Sequence, residues 1–414
     1  MIPDYFLRNT KPIKKIIQCP SGYFIWLPQR IDKIFVDVYI KAGAITENKN
    51  EAGIGHLLEH YMAGSINQHL AEKIDDIRAK INDSFIHFYF VLKNNHPAHK
   101  TLREILDLIF KPDFSDEKLF QLEKQSIIRE IKKEINDDFF ILERLVGKTR
   151  YLDEPNQYSF VDHLDNIDRL SLNDLATYHH RIFTEDNLIF FLSGYNYDKK
   201  AIKTIVDYLN KNNLSKKATS FLQPEYSGFK IATGTPKRKE NSCLAITFPC
   251  PDNSLTYKEK QVLTIIMMAV KKIHSNNLYI NHHHGRGNGY LMIKRQRLNQ
   301  RPIDWIRDVL SVFESLKKEG IATELLKSLK QERLIEEKNN WLDNHGRFLR
   351  ISENLLNNDK VYLKGDIVRV IRGINTEDVK DLARKIFNQS QINFIVYGQF
   401  DGLVEQLNEL SVKE

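Results

Sequence analysis

The sequence predicts an α+β protein that is built from two homologous domains. At 414 residues the chain is longer than one ordinary core, and its 42% hydrophobic and 28% charged residues are typical of globular proteins. Segments rich in β-branched and aromatic residues alternate with segments of helical periodicity, which indicates both strands and helices. In addition, the pattern of residues 170–194 recurs at residues 374–398. Such internal similarity is typical of a duplicated module.

The repeat keeps one register. Three pairs of matching residues are each separated by 204 positions, close to half of the chain: Asp174 and Asp378, Phe183 and Phe387, Gly194 and Gly398. We therefore predict a first domain over residues 1–215, a linker over 216–240, and a homologous domain over 241–414. Proline and glycine interrupt the periodicity in the linker.

The elements of the first domain follow from periodicity and from turn residues. In chain order we predict strands at 22–27 and 34–40, a helix from about residue 53, a helix at 70–80, a strand at 85–92, and helices at 102–110 and 116–140. The first two strands are consecutive and joined by a short charged turn, so we expect them to pair with each other.

The chemistry of the first domain is concentrated in an HxxEH sequence, His56, Glu59 and His60, near the start of a predicted helix. Successive helical residues are about 100° apart, so the three side chains share one face. Two imidazoles at positions i and i+4 can bind one Zn²⁺, and a catalytic zinc commonly keeps one position for water. The carboxylate can take the proton of that water. The order His-x-x-Glu-His is that of inverzincins, although two histidines on a polar helix face can also arise by chance.

A third ligand is expected from a later helix. Glu123 and Glu130 are two helical turns apart and share a face, and Glu134 lies one turn further. A charged helix face is usually only solvated. However, two histidines need a third protein ligand, for which a carboxylate is a common choice.

The duplication supplies an internal control for the motif. Positions 204 residues after the motif hold Lys260, Leu263 and Thr264, so the second copy lacks it. If HxxEH only suited the packing of that helix, both copies could keep polar residues there. The difference favours a functional interpretation.

Composition also excludes several classes of function. The net charge of +7, from 61 basic and 54 acidic residues, has no long basic block, which argues against nucleic-acid binding. Three cysteines match no zinc-knuckle spacing and indicate a reducing compartment. The first residues lack the apolar core of a signal peptide, and no apolar run is long enough to span a bilayer. We therefore expect a cytoplasmic protein.

Taken together, these residues resemble the pitrilysin/insulinase family of zinc peptidases, in its short mitochondrial-processing-peptidase-like type. The resemblance is strong in the first half and loose in the second. It is carried by Glu47, Gly53 and Gly55 with HLLEH, the paired glutamates, Leu170-Ser171, Asp174-Leu175, Tyr178, Asn187-Leu188 and Gly194.

The resemblance implies roles for these residues. Zn²⁺ would be held by His56, His60 and Glu130, with Glu59 as the general base and Glu123 supporting the site. Glu134 remains a weaker candidate ligand, because the spacing from His60 to Glu130 is short for the family. The implied fold is a pair of domains, each an antiparallel sheet with helices packed on it.

The resemblance also implies how substrate binds. A peptide or unfolded segment would add as a strand to a sheet edge at Asn82 and the strand near Phe85, inside a chamber formed by dimerisation. An Arg and a Tyr of the second domain would hold the substrate backbone; here Tyr290 is in register, but His283 stands at the Arg position and Arg286 lies nearby.

The altered pair bears on the partner. We expect a heterodimer with a homologue that lacks zinc ligands and supplies an intact Arg and Tyr. The alternative is a homodimer in which Tyr290 suffices with Arg286 or His283. The run of three histidines at 282–284 could also bind a metal, but consecutive residues rarely point at one ion. A catalytically silent structural subunit of the same fold and a small-molecule hydrolase are the rival functions, and a scaffold has no need of Glu59.

Overall fold

A computed structural model of the chain shows two compact units. The first comprises Met1–Lys133 and Phe160–Leu222, and the second comprises Glu134–Ser159 and Gln223–Glu414. The structure describes residues 15–19, 22–28, 33–152, 160–184, 187–194, 199–211, 224–274, 278–285, 287–296, 301–342, 351–352, 355–356 and 362–411. Each unit contains a β-sheet and helices, which confirms the predicted α+β class.

Eleven strands are described, which we label β1 (Lys15–Cys19), β2 (Gly22–Pro28), β3 (Ile34–Ile40), β4 (Ile74–Ile81), β5 (Ile86–Leu92), β6 (Leu188–Gly194), β7 (Lys230–Gly234), β8 (Cys243–Pro249), β9 (Leu278–His283), β10 (Tyr290–Gln296) and β11 (Asn393–Tyr397).

The described α-helices are α1 (Ile54–Leu70), α2 (Ala98–Phe110), α3 (Glu117–Glu134), α4 (Asp138–Arg150), α5 (Leu164–Arg169), α6 (Leu172–Ile182), α7 (Lys199–Lys211), α8 (Tyr257–His274), α9 (Pro302–Lys318), α10 (Thr323–Leu342), α11 (Lys364–Gly373), α12 (Thr376–Ile386) and α13 (Leu403–Ser411). None of these helices is both long and apolar enough to cross a membrane.

The first sheet has the strand order β1-β2-β6-β3-β5-β4. The strands predicted at 22–27 and 34–40 both form, but their expected pairing is wrong, because β6 lies between β2 and β3. All seven residues of β6 are buried, as expected of a central strand that is covered on both faces. β6 runs parallel to β2, and every other pair in this sheet is antiparallel. The sheet is therefore mixed rather than purely antiparallel.

The helix predicted at 70–80 is also wrong. Helix α1 continues through Leu70, and Ile74–Ile81 forms β4, the edge strand of the first sheet. Asp75, Arg78 and Lys80 are exposed on β4. Charged side chains are common on edge strands, where they discourage pairing with other chains. The strand that begins near Phe85 lies between β3 and β4, so the edge expected there belongs to β4 instead.

The second sheet has the same strand order as the first, with β7, β11, β8, β10 and β9 in the places of β2, β6, β3, β5 and β4. Among the described strands, β1 has no counterpart. In the second sheet β7 and β11 are parallel, and the remaining pairs are antiparallel. Alternate residues of its strands face opposite sides. On one side Ala245 and Ile395 contact Leu142 and Val146 of α4. On the other side lies a larger core that includes Trp305.

The two units confirm the predicted duplication. Helices α6 and α12 begin 204 residues apart, and so do strands β4 and β9, strands β5 and β10, and helices α2 and α9. Both α6 and α12 start with a capping box, in which Ser171 and Asn375 accept a hydrogen bond from the backbone N–H of Asp174 and Asp378.

The compact units differ from the predicted boundaries of 1–215, 216–240 and 241–414. Residues Glu134–Ser159 group with the second unit, because α4 packs on the second sheet. Strand β7 belongs to that sheet although it falls inside the predicted linker. Residues 212–223, which include the first part of the predicted linker, lie outside the described part of the chain.

Candidate metal centre

Helix α1 is anchored at its first turn by Glu47. The Glu47 carboxylate accepts hydrogen bonds from the backbone N–H groups of Gly53, at 2.7 Å, and of Gly55, at 3.0 Å. Gly53 has φ +94°, a conformation that favours glycine, and a Cβ at Gly55 would lie 2.7 Å from Glu47 Oε1. Burial raises the pKa of Glu47 to about 7, although both backbone hydrogen bonds oppose that shift. This anchor fixes where α1, the helix of the HxxEH motif, begins.

The two histidines of the motif converge on one carboxylate. The rings of His56 and His60 are 4.8 Å apart between centroids, and their Nε2 atoms lie 3.9 and 3.7 Å from Glu130 Oε2. In a tetrahedral zinc site with bonds of about 2.0–2.1 Å, ligand atoms lie roughly 3.4 Å apart. Shifts of a few tenths of an ångström would therefore bring Glu130 Oε2 to ligand spacing from each of the two imidazole nitrogens, so the donor set fits Zn²⁺.

Glu123 orients His60. The Glu123 Oε2 atom lies 3.2 Å from His60 Nδ1. An ionised carboxylate can only accept, so Nδ1 carries the proton and Nε2 keeps its lone pair toward Glu130. Gly64 permits this close approach of α3 to α1, because a Cβ there would lie 3.0 Å from Glu123 Oε1. Sequence reasoning missed Gly64, although a glycine one turn after His60 was a usable signal.

Glu59 is a buried carboxyl group beside the two imidazoles. Its Oε2 lies 3.8 Å from His56 Nε2, and only 6% of the residue is exposed. Burial raises the pKa of Glu59 to about 7; His60 opposes the shift, and the Glu130 carboxylate adds to it. A carboxyl group with this pKa can both accept and return a proton near neutral pH.

His56 is held neutral at the same place. Burial, with smaller contributions from His60 and His163, lowers the pKa of His56 to about 3. A neutral imidazole is the form that binds a metal ion. The nitrogen and carboxylate atoms of His56, Glu59 and His60 all lie within 4.8 Å of one another.

The structure distinguishes the two candidate third ligands by position. Glu130 lies within 4 Å of both imidazoles. Glu134 is the last residue of α3 and groups with the second unit. Glu130 is therefore placed where a third ligand of the two imidazoles would lie.

Tyr290 lies in a stack of three side chains in the second unit. The His283 ring is parallel to its ring at 4.3 Å, and the Arg150 guanidinium lies 4.0 Å from the ring centroid. The Tyr290 hydroxyl donates to Glu143 Oε2 at 3.1 Å. Arg150 is fully buried, and burial lowers its pKa. Sequence reasoning missed Arg150 and Glu143, which lie far from Tyr290 in sequence; Arg286 lies outside the described residues.

Asn82 lies at the turn between β4 and β5. Its Oδ1 atom accepts hydrogen bonds from the backbone N–H groups of Ser84 and Phe85, both at 2.9 Å. This interaction stabilises the turn, as asparagine commonly does. A role for Asn82 in substrate binding stays a prediction.

Comparisons with known proteins place these residues in context. The sequence model of the insulinase family, peptidase family M16, matches residues 29–158, which include the HxxEH motif, Glu123 and Glu130. A Rickettsia felis protein described as an uncharacterized zinc protease is 24% identical over 208 residues. That match covers 48% of this chain and 49% of the relative, so it spans about half the length of each.

Solved structures show the same fold over a longer stretch. The structure of a protease from Helicobacter pylori has a TM-score of 0.76 at 16% identity, and the match covers 93% of this chain and 99% of that one. An M16 inactive domain from Pseudomonas fluorescens also has a TM-score of 0.76, at 14% identity, covering 93% and 97%. The expected resemblance is thereby confirmed: the chain is similar to the insulinase family, peptidase family M16, over residues 29–158 and has the fold of M16-like peptidases.

Proposed function

We propose that the chain is a zinc metallo-endopeptidase that hydrolyses peptides or unfolded segments. One observation carries the proposal: the Nε2 atoms of His56 and His60 converge on Glu130, with the buried Glu59 beside them. A scaffold protein gains nothing from burying such a carboxyl group, because an ionisable group in a poorly hydrated place costs stability.

The residues would divide the reaction among them. His56, His60 and Glu130 would hold the zinc, and Glu123 would keep the His60 ring in the binding tautomer. When bound, zinc makes a water molecule acidic and polarises the carbonyl group of the substrate. Glu59 accepts the proton of the attacking water and returns it to the nitrogen of the cleaved peptide bond. Its pKa of about 7 suits both transfers.

Substrate binding and assembly form the second part of the proposal. Within the described sheet β4 pairs only with β5, which supports addition of a peptide strand at β4. Tyr290 would contact the substrate in a chamber formed by dimerisation. Because His283 replaces the expected Arg, we favour a homologous partner without zinc ligands over a second copy. The buried free thiols Cys19, Cys243 and Cys250 support a cytoplasmic location.

Glu59→Gln tests the proposed reaction. We expect zinc content to stay near one per chain while cleavage of a quenched peptide library falls by about 10²–10⁴-fold, because the general base is lost. Both chains are measured alone and mixed with any co-expressed homologue. Glu134→Gln, the same chemical change at the end of α3, should leave cleavage intact. A wild-type chain that binds zinc but cuts nothing in either setting contradicts the proposal.

A catalytically silent subunit of the same fold is the second candidate. The inactive M16 domain from Pseudomonas fluorescens, at a TM-score of 0.76, supports it. The complete donor set beside Glu59 opposes it. The two candidates differ in one measurement: a silent subunit shows no cleavage that depends on Glu59 in any mixture.

A further inference from the structure

The histidine run of the second unit divides between the two faces of β9. Side chains alternate along a strand, and His284 directly follows the last residue of β9, so His282 and His284 lie on one side, where their rings are close together, and His283 lies on the other. His283 stacks on Tyr290. The rings of His282 and His284 lie 4.4 Å apart between centroids, close to the 4.8 Å between the two motif histidines. Three consecutive histidines rarely point at one ion. His282 and His284, however, are two residues apart and lie on the same side, so both can face one ion.

Asp252 adds a carboxylate to the pair. Its side chain is fully buried, and its Oδ2 atom accepts a hydrogen bond from His284 Nδ1 at 3.2 Å, so Nε2 is the nitrogen of His284 whose lone pair could bind an ion. The potential ligand atoms of Asp252, His282 and His284 all lie within 4.8 Å of one another. The His284 side chain is 57% exposed, which gives an ion a path from solvent.

The hydrogen bond that His282 makes settles which of its ring nitrogens carries the proton. Its Nε2 atom lies 2.7 Å from the carbonyl oxygen of Cys250. A carbonyl oxygen only accepts, so Nε2 carries the proton and Nδ1 keeps the lone pair. Metal-binding histidines commonly donate their other N–H to such a carbonyl. Burial lowers the pKa of His282 to about 4, so the ring is neutral at pH 7.

Lys260 competes for the same carboxylate. Its Nζ atom lies 2.9 Å from Asp252 Oδ1, and the backbone N–H of Gly285 donates to Oδ2 at 3.0 Å. A divalent ion would share Asp252 with this ammonium group, and like charges a few ångströms apart repel. Binding should therefore be weaker than at the HxxEH site, and it should strengthen when the charge of Lys260 is removed.

We propose that Asp252, His282 and His284 form a second site for a first-row divalent cation such as Zn²⁺. Two imidazoles and one carboxylate are a common zinc donor set. A bound ion would link the segment after β8 to the end of the edge strand β9. This proposal rests on the geometry of the second unit alone and does not depend on peptidase activity.

The test is calorimetric titration with Zn²⁺ of the full chain carrying His56→Ala and His60→Ala, which removes the first site. We expect saturable binding of one ion per chain. His284→Ala should weaken binding at least about tenfold, and Lys260→Met should strengthen it by about tenfold or more. His283→Ala is the matched control, since it removes a neighbouring histidine that faces the other way, and it should leave the affinity unchanged.

Two results would overturn this site. One is the absence of saturable binding in both the parent chain and Lys260→Met. The other is an equal loss of affinity in His284→Ala and His283→Ala, which would indicate surface histidines only. His284 is exposed, so its replacement should not disturb folding, and thermal melts in chelator verify that each variant folds as its parent does.

Discussion

Helices α1 and α8 occupy equivalent positions in the two units, but only α1 carries the HxxEH residues. Where α1 has Glu59, the corresponding residue of α8 is Leu263, which is 1% exposed in a hydrophobic core. Glu59 is also buried, and burial raises its pKa to about 7. The fold therefore accepts a leucine at this position, so the carboxyl group is not needed for packing. The first unit therefore keeps a buried carboxyl group, Glu59, that lowers its stability, and such a cost is typical of a functional site.

The largest effect should come from replacing His60 of α1 with alanine. His60→Ala removes one of three converging donors, so we expect zinc content to fall from about one per chain to near zero after dialysis. Thr264→Ala is the matched change in α8 and should leave the zinc of the first unit unchanged. Metal analysis of both chains measures the difference. Equal zinc content in the two variants would contradict the proposal that α1, unlike α8, supplies zinc ligands.

Glu59→Leu makes the first helix resemble the second. The pKa of Glu59 is raised in the folded chain, so its contribution to stability is present below about pH 4.5 and is lost as the pH rises through 7. In chelator, the variant should therefore gain in free energy of unfolding relative to wild type between pH 5 and pH 8, by up to about 3 kcal/mol. Denaturant melts at several pH values measure the gain. A constant difference across this range would contradict the burial cost.

Glu123→Gln tests whether the partner of His60 matters. The amide can still accept a hydrogen bond but carries no charge, so we expect zinc affinity to fall by about 10–100-fold. Glu134→Gln, on the same helix, should change the affinity less than about twofold. Competition with a chelator of known affinity measures both values. A larger loss with Glu134→Gln would assign the ligand role to that residue instead.

The smallest effects should be changes in stability when a glycine is replaced by alanine, at one helix position in each unit. A Cβ at Gly55 would meet Ile81 Cδ1 at 2.6 Å and Glu47 Oε1 at 2.7 Å, so Gly55→Ala should cost about 1–2 kcal/mol of stability. A Cβ at Gly365 in α11 meets no atom within 4 Å, so Gly365→Ala should gain about 0.5–1 kcal/mol. Thermal melts measure the melting temperatures of the two variants. Similar changes in both would show that the contacts of Glu47 and Ile81 with Gly55 leave room for a side chain there.

Local signals carried most of the fold prediction. The offset of 204 residues is kept by α6 and α12 because the same capping boxes start both helices. Pairing was less accessible, since nothing in the residues of β2 and β3 shows that β6 separates them. The helix predicted at 70–80 failed because β4 is a charged edge strand, whose polar residues also fit a helical pattern.

The part of the site whose residues are close together in the sequence could be predicted. His56, Glu59 and His60 lie on one helix face, so helical geometry alone brings them together. The position of Glu130 near them depends on how α3 approaches α1, and the close approach at Gly64 decides that. The cluster around Asp252 was not predictable, because it joins the loop after β8 to β9 across 30 residues.

The place of β6 in the first sheet has a consequence for the order in which the protein can assemble. β3 ends at Ile40, but its neighbour β6 begins only at Leu188, so a nascent chain holds β2 and β3 as separate pieces until almost the whole first unit has left the ribosome. In the second unit β11 joins β7 to β8 in the same way and is again the last strand made. Each half is thus completed by its final strand, and such distant pairing is typical of slow folding. The proposed zinc ligands all precede β6 in the chain, so helices α1 and α3, which carry them, are synthesised before the first sheet is complete.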